Sequence, residues 1–508
     1  MPSDSRIPAH ALAVSLRPHP VFGKRVPVRK VANRTLLLLV MLFVLSLPAV
    51  PPPEGAIRPL WAEAADLQAL RSYAAAVEVY EQIATLSPLD PEPLLSMGTV
   101  YAAQHRWPLA EDAYNRALTR DANNTRALAG LAAARWEQGD RRRAVELWEA
   151  VVPPCLGDAN QAERHNSPPG ARLRLALAYL DTDRLADAER MFQSELACGD
   201  NPTARLYLAM LQALDDPVAA KRELRAIAGN VIPPIAAGRD YLWAAIDQAE
   251  ESDSPAQAAE SLALAFMELN EWQLAHVALE RALALDPNNP EVMAFFGHAQ
   301  AQLGRPAFKH LVAATESRPN WPLGHYLLGL YYQKQGLYGL AAEELLATLR
   351  LDPGNAQAYV DLAAAYVGQG QYLAAEEALA NAVAAAPDDP GFRLTQVRFY
   401  ADHAFNITDR GVGAARAAAD MAPDDPRFRD LLGWIYFLAG DPNLARLHLE
   451  SAIRQDPHLT SAYYHLGMLH KLLGEEEAAR FAFLRVVDLD TEGFYRSRAQ
   501  ATLREMGQ

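Results

Sequence analysis

The sequence has only two cysteines in 508 residues, Cys155 and Cys198. Two thiols are too few for a disulfide scaffold or a four-thiolate zinc site. Basic residues are also scarce, because 47 Lys and Arg stand against 62 Asp and Glu and the net charge is −15. Phosphate binding needs clustered Lys and Arg, so nucleic acid is not expected as a partner.

The sequence also lacks the short motifs that carry chemistry. It has no P-loop, no His-Glu-x-x-His pair, no Cys-x-x-Cys and no nucleophile elbow. His465 and His470 are five residues apart, which does not place two metal ligands on one face of a helix. The pair Glu376-Glu377 is expected to complement a helix dipole. We therefore predict a protein without catalytic residues, metal or cofactor, and so not an enzyme.

The first fifty residues differ from the rest. Residues 1–34 carry seven Lys and Arg but a single acid, Asp4, which predicts a basic disordered tail. Residues 35–50 are sixteen positions without a charge, and the Pro-rich stretch 51–56 reads as a linker. A spanning helix needs about 20 residues, whereas a signal-peptide core has about 7–15.

Two interpretations of residues 35–50 remain open. An uncleaved anchor would have the lipid bilayer as its partner and, by the positive charges before it, would place the C-terminal body outside the cytoplasm. Cleavage of a signal segment would instead give a secreted or periplasmic protein. In either case residues 35–508, with 40 basic and 61 acidic side chains, form a body of net charge −21.

The remaining chain repeats with a period near 34 residues. A proline turn marks each period, and successive prolines are separated by 32, 34, 34, 36 and 34 residues. A fixed period of this size is typical of helical repeat arrays. The marker prolines are Pro287, Pro319, Pro353, Pro387, Pro423 and Pro457.

Each unit has the pattern of two helices. In one unit Leu328, Gly329 and Tyr332 share a face of a first helix, and Ala341 and Leu345 share a face of a second. Small residues at Gly329 and Ala341 allow the two helix axes to approach closely. The same columns recur at Leu94, Gly98, Tyr101, Ala110 and Tyr114, at Leu362, Ala363, Tyr366, Ala375 and Leu379, at Leu432, Gly433, Tyr436, Ala445 and Leu449, and at Leu466, Gly467, His470, Ala479 and Phe483.

This pattern resembles the tetratricopeptide repeat family, whose unit is a 34-residue helical hairpin with Leu-Gly, Tyr, Ala and Pro at fixed places. The resemblance implies an all-α fold, a right-handed α-solenoid of about 11–12 hairpins preceded by one N-terminal hydrophobic helix. It covers residues 57–493 and departs at 153–170 and at 200–254, where prolines interrupt the helices.

The repeats divide the body into four parts. Residues 57–230 are expected to form an N-terminal array that becomes degenerate after 153, and residues 231–255 an irregular connector or extra helix. Residues 256–493 are expected to form a regular C-terminal array, and residues 494–508 a capping helix. Because a terminal cap is polar on its outer side, Arg496, Arg498 and Arg504 are expected to face outward.

The resemblance also implies an inner groove lined by first helices. Positions outside the core columns combine aromatic anchors with charged side chains, which suits an extended peptide or a partner helix. The candidate groove residues are Tyr326, Leu330, Gln333, Lys334, Arg398, Asp402, Arg427, Asp430, Trp434, Phe437, Tyr464, Met468 and Lys471.

The expected function is that of a protein–protein interaction scaffold, anchored in a membrane and supporting an envelope complex. The alternative is an accessory subunit that presents substrate to an envelope enzyme. Either role has a protein or peptide as partner. Cys155 and Cys198 follow the second helices of neighbouring units and are candidates for a disulfide, which an exported compartment would permit.

Overall fold

A computed structural model describes most of the body of the chain, namely residues 54–152, 168, 170–227, 229, 231–490 and 493–507. The predicted tail 1–34, the uncharged segment 35–50 and Cys155 lie outside the described residues. The helical array forms one compact unit, Gly55–Gln508. Among the described helices, none combines the length and the apolar character that crossing a bilayer requires.

Regular structure in the described residues is helical, with 26 α-helices and one π-helical turn, Ile407–Gly411. The helices are α1 Glu54–Ala69, α2 Tyr73–Leu86, α3 Glu92–Ala103, α4 Trp107–Arg120, α5 Thr125–Glu137, α6 Arg141–Val151, α7 Ala171–Asp181, α8 Leu185–Cys198, α9 Pro202–Ala213, α10 Pro217–Ala226, α11 Pro233–Glu250, α12 Pro255–Glu268, α13 Trp272–Leu285, α14 Pro290–Gln302, α15 Phe308–Ser317, α16 Pro322–Lys334, α17 Tyr338–Leu351, α18 Ala356–Gly368, α19 Tyr372–Ala385, α20 Pro390–His403, α21 Val412–Met421, α22 Pro426–Leu438, α23 Pro442–Gln455, α24 Thr460–Leu472, α25 Glu476–Leu489 and α26 Phe494–Met506.

The helices form twelve consecutive pairs, interrupted by α11 and followed by α26. The expectation of an all-α solenoid is confirmed. Helix α11 begins at Pro233-Pro234, because proline is tolerated in the first helical turn, where the amide has no intrahelical acceptor. It packs against α9, α10 and α12.

The turn inside most pairs uses one backbone conformation. Gly336, Gly370 and Gly440 take φ values of 72°, 73° and 80° at this point. In earlier pairs His105 and Asp183 occupy the same place with φ values of 53° and 65°. This left-handed conformation is costly for residues with a Cβ, so these early pairs keep the geometry of the repeat without its glycine.

The turns between pairs end in side chains that cap the next first helix. Asn289 accepts hydrogen bonds from the backbone N–H groups of Glu291 and Val292 at 3.0 and 3.2 Å. Asn355 and Asp389 cap α18 and α20 in the same way. These caps satisfy amides that have no partner within the helix, and the following proline needs none.

Small residues set the distance between the two helices of a pair. A Cβ placed on Gly433 of α22 would lie 2.7 Å from Leu449 Cγ and 3.0 Å from Leu449 N in α23. Gly329 of α16 approaches Leu345 of α17 almost as closely, at 3.1 Å, in agreement with its expected role. These two pairs are therefore closed at a point that leaves little or no room for a side chain.

First helices of neighbouring pairs also contact each other directly. Helix α22 packs against both α20 and α24, and α16 against both α14 and α18. Each pair thereby covers the apolar face of the one before it, which a single pair has no means to bury. From α14 to α26 the first helices consequently form one continuous lining.

The unit that begins at Pro390 contains an insertion, the π-helical turn between α20 and α21. Asn406 donates to the Glu376 carboxylate at 3.2 Å, and Arg410 Nη1 lies 3.0 Å from Glu376 Oε2. Glu376 is buried. Besides the expected interaction with its helix dipole, Glu376 therefore holds the inserted turn against the preceding pair.

The last helix makes a long-range contact. Arg496 of α26 is only 5% exposed, so the expectation that it faces outward is wrong. Its guanidinium donates to Val487 O at 2.8 Å and to Gln104 O at 3.3 Å. Gln104 belongs to the α3–α4 turn, so the final helix contacts the second helical pair.

We predict that Gly433→Ala lowers the free energy of unfolding by about 1–3 kcal/mol, because the added methyl group must displace Leu449. The matched change Gly413→Ala introduces a methyl group where nothing lies within 4 Å. Since Gly413 is helical, this second change should raise the free energy of unfolding by up to about 1 kcal/mol. Urea denaturation followed by circular dichroism measures both, and equal effects would contradict the packing assigned to Gly433.

Candidate functional site

A stack of aromatic rings lies on the first helices of the last two pairs. Trp434 is stacked between Phe437, at a ring separation of 4.6 Å, and His465, at 4.4 Å. Tyr464 lies 5.1 Å from Tyr495 of α26. We call these five residues the aromatic patch. All except His465 are partly accessible, so their rings offer contact area to a partner.

A buried hydrogen bond fixes the patch from below. Asp430 of α22 and His465 of α24 are 3% and 4% exposed. His465 Nδ1 lies 2.7 Å from Asp430 Oδ1. Both members of a buried polar pair must keep their partner, because an unmade bond in the interior costs about 1–3 kcal/mol. The contact therefore holds two neighbouring pairs in one register under Trp434.

The candidates Arg398 and Asp402 on α20 lie beside the patch. Both are exposed. Burial, followed by the charges of Asp430 and Asp402, raises the pKa of Tyr495 to about 12, and the charge of Arg398 opposes the rise. These influences place charges of α20 and α22 within electrostatic range of the Tyr495 hydroxyl. Neither Arg398 nor Asp402 forms an ion pair with a described residue.

The four candidates on α16 lie apart from the patch. Tyr326 Oη donates to Asp361 Oδ2 of α18 at 2.7 Å, and burial followed by the Asp361 charge raises the pKa of Tyr326. Lys334 Nζ donates to Ala301 O of α14 at 2.6 Å. These two side chains join neighbouring first helices. Leu330 and Gln333 remain partly accessible.

Three further candidates are used within the protein. Arg427 pairs with Asp425, the cap of its own helix, at 2.6 Å. Lys471 Nζ lies 2.9 Å from Glu505 of α26. Met468 packs in the small core that α24 shares with α25 and α26. The structure thus brings together Arg398, Asp402, Asp430, Trp434, Phe437 and Tyr464, and leaves the others as structural or peripheral contacts.

The sequence did not indicate two members of the patch, His465 and Tyr495. His465 occupies a position next to a groove column, and its spacing from His470 indicates only that the two do not form a metal site. Tyr495 was assigned to a cap. In the structure α26 packs against α24 as another first helix would. The aromatic pair Phe494-Tyr495 at its start was the available signal.

A cavity of about 450 Å³ opens in the N-terminal half of the array. It lies where first helices α5 and α7 end and where α4 and α13 begin. Three indole rings line it, those of Trp107, Trp136 and Trp148. The sequence analysis missed this cavity, although three of the eight tryptophans fall within residues 107–148.

The cavity also has charged walls. Glu137, Asp181 and Glu271 line it together with one cation, Arg174. Tyr207 Oη donates to Glu271 Oε1 at 2.7 Å. Burial raises the pKa of Glu271, and the Tyr207 hydrogen bond opposes this by stabilising the carboxylate.

Metal and thiol chemistry were also considered. Across the described residues, no group of three or more His, Cys, Asp or Glu side chains is arranged to hold a metal ion. His470 is buried and contacts Glu475 at the α24–α25 turn. Cys198, the last residue of α8, is disulfide-bonded. A bond to Cys155 stays a prediction, because Cys155 lies outside the described residues.

Comparison with known proteins identifies the repeats. Family profiles described as tetratricopeptide repeat match residues 62–125, 333–396, 408–460 and 460–492. The chain therefore carries tetratricopeptide repeats, which typically serve as non-catalytic scaffolds that bind protein partners. A search of curated protein sequences found no match.

Several solved structures are similar to this chain at low sequence identity. Yeast Tom70 is 14% identical over 89% of this chain and 97% of its own, with a TM-score of 0.36. A tetratricopeptide repeat protein from Parabacteroides merdae is 16% identical over 50% and 99%, with a TM-score of 0.39. PilF of Pseudomonas aeruginosa is 17% identical over 43% and 97%, with a TM-score of 0.35. Similarity at this level gives no information on partner or location.

Histidines packed around α14 respond to acid. His298 packs edge-on against Trp272 at 5.3 Å. Burial lowers the pKa of His298 to about 4, and the nearby charge of Lys334 contributes. Burial, followed by the charge of Arg305, also lowers the pKa of His276. Because the folded state holds these rings neutral, protonation favours the unfolded chain.

We predict that the free energy of unfolding falls as the pH drops from about 6.5 toward 4. A pKa of about 4 for His298 against an ordinary value near 6.5 corresponds to up to about 3 kcal/mol over this range. His298→Gln should flatten the dependence, as measured by urea denaturation at a series of pH values. His458→Gln, which changes an exposed histidine in the α23–α24 turn, should leave the slope unchanged. Equal slopes for wild type and His298→Gln would contradict the assignment.

Proposed function

We propose that the chain is an interaction scaffold that binds an extended segment of a partner protein over the aromatic patch. Partly accessible rings held rigidly by the Asp430–His465 bond lose little conformational freedom on binding. The exposed charges of Arg398 and Asp402 border these rings and would set the orientation of the bound segment. The aromatic patch, with its fixed base, is the observation that supports this proposal most strongly.

We also propose that the scaffold is anchored in a membrane through residues 35–50 and presents its array outside the cytoplasm, in support of an envelope complex. The support is sequence-based: sixteen uncharged residues follow seven positive charges, which tend to remain on the cytoplasmic side. An accessory role beside an envelope enzyme stays the second candidate, and the identity of the captured partner distinguishes the two.

The patch proposal predicts that Trp434→Ala and Arg398→Glu each reduce partner capture about tenfold or more, since central aromatic and arginine side chains dominate binding energy. The measurement is quantitative crosslinking and mass spectrometry of the full-length chain in the cells that express it. Arg398→Glu changes an exposed side chain, so its effect does not depend on altered packing.

The matched control is Phe481→Ala, which removes a ring that is 63% exposed on the second helix α25. It should leave capture unchanged, and thermal unfolding should show that all three variants fold. Retention of the same partners by both Trp434→Ala and Arg398→Glu would contradict the patch as the binding surface. An enzyme as the lost partner would favour the accessory role.

The anchor proposal predicts that Leu38→Arg with Leu42→Arg releases the protein from membranes during alkaline carbonate extraction. Each arginine at the centre of a spanning segment costs about 2.5–3.5 kcal/mol. The control, Ala11→Arg with Leu12→Arg, adds the same charge within residues 1–34 and should leave the protein in the membrane fraction. A mature protein that begins beyond residue 50 would show instead that the segment is a cleaved signal.

A further inference from the structure

The acidic side chains of the tryptophan-lined cavity differ from those around it because they lack ion-pair partners among the described residues. In the same half of the array, acidic side chains are usually matched with arginine, as in Glu111–Arg135 at 2.5 Å and Glu149–Arg184 at 3.0 Å. Glu137, Asp181 and Glu271 form no ion pair with a described residue. The cavity therefore holds more negative than positive charge, because Arg174 in its wall and Arg141, whose charge acts on Asp181, offset only part of it.

Two of these acids occupy places that disfavour them. Glu137 is the last residue of α5 and Asp181 the last residue of α7. The C-terminal end of a helix carries partial negative charge, so an acid there is repelled by its own helix. Departures of this kind from local preference are expected at functional sites. The ends of α5 and α7 thus direct negative potential into the cavity.

The rings of the cavity suit a planar cation. Trp136 already lies under a guanidinium of the chain itself, since Arg141 Cζ is 5.2 Å from the centre of its ring. Trp136 and Trp148 are 5.9 Å apart and tilted by 47°. A guanidinium stacks on indole rings and donates in a fork to carboxylates, which a rounder ammonium group does less well.

A polar group of the wall is also unsatisfied. Trp148 is 2% exposed, and its indole N–H has no acceptor among the described residues. This nitrogen is itself inaccessible, so a peptide carbonyl in the cavity becomes its acceptor only when the indole turns toward the ligand.

We propose that this cavity binds the guanidinium group of an arginine in an extended segment of a partner protein. The ring faces of Trp107 and Trp136 cover the guanidinium plane, and Asp181 and Glu271 accept its N–H groups. The inference rests on the proposed scaffold function in that the arginine belongs to a protein. It adds a second point of contact, in a different half of the array from the aromatic patch.

The one cation in the wall opposes this ligand. Arg174 is exposed, has no ion-pair partner among the described residues, and also lines a neighbouring cavity of about 200 Å³ beside Tyr114. Its charge favours binding at the end of the cavity formed by Asp181 and Glu271. Removal of the Arg174 charge should strengthen binding, whereas removal of the acidic side chains should weaken it.

The test uses the full-length protein and fluorescein-labelled heptapeptides of glycine and alanine with one central residue. Fluorescence anisotropy compares arginine at that position with citrulline, which has the same shape and no charge, and with lysine. The arginine peptide should bind about tenfold or more tightly than the citrulline peptide. Competition by N-acetylarginine methylamide measures a single arginine with its two flanking amide groups and should be weaker than that of the unlabelled arginine peptide.

Substitutions of cavity residues test whether the arginine peptide binds in this cavity. Asp181→Asn with Glu137→Gln should weaken the arginine peptide about tenfold, whereas Arg174→Gln should strengthen it severalfold. The matched control, Glu78→Gln with Glu316→Gln, removes two exposed acids outside the cavity and should leave affinity unchanged. Circular dichroism and thermal unfolding establish that each variant folds.

Equal affinity for the arginine and citrulline peptides, or no binding of either up to millimolar concentration, would overturn the proposal. Equal loss in the control variant would overturn it too, because only net charge would then matter. Competition by N-acetylarginine methylamide as strong as that of the peptide would overturn the protein segment as occupant. A partner captured through the aromatic patch but unaffected by Asp181→Asn with Glu137→Gln would refute this inference and leave the scaffold function standing.

Discussion

The structure depends on the cover that each helical pair gives to the apolar face of its neighbour. Each pair must itself be tightly packed to do this, and its two helices approach closely where one of them has a small residue. Gly433 lies against Leu449, and Gly329 lies against Leu345. First helices then meet directly from one pair to the next. Because this contact is repeated from α14 to α26, the first helices of that part line one surface, and the aromatic patch lies on it.

Much of the fold was predictable because its determinants are local and repeated. The period, the caps and the Leu-Gly columns define the pairs without reference to distant residues. Not every turn was visible in the sequence. In two early pairs His105 and Asp183 take the backbone conformation that glycine takes elsewhere, so the turn persists without its marker residue. The role of Glu376 was not predictable, since it depends on an insertion that follows thirty residues later.

The candidate sites were predictable to different degrees. Trp434 and Tyr464 were predicted as groove candidates because a groove position follows from the repeat phase. The sequence did not predict that the buried Asp430–His465 contact holds these rings in place, because this contact joins two repeats through side chains that the repeat pattern does not specify. The tryptophan-lined cavity was missed because its walls come from several pairs and one distant turn. Acids at the ends of α5 and α7 were the local sign, since they disfavour the helices that carry them.

The contact of Arg496 with Gln104 changes how local unfolding at the ends of the array should affect the rest of it. A repeat array with free ends behaves as a linear chain of nearest-neighbour couplings, in which the terminal units fray first. Here residues 392 positions apart share a hydrogen bond, so the last helix and the second pair are thermodynamic neighbours. Local unfolding of the last helix then weakens the second pair directly, without passing through the intervening pairs. The array should therefore unfold more cooperatively than a linear stack with free ends.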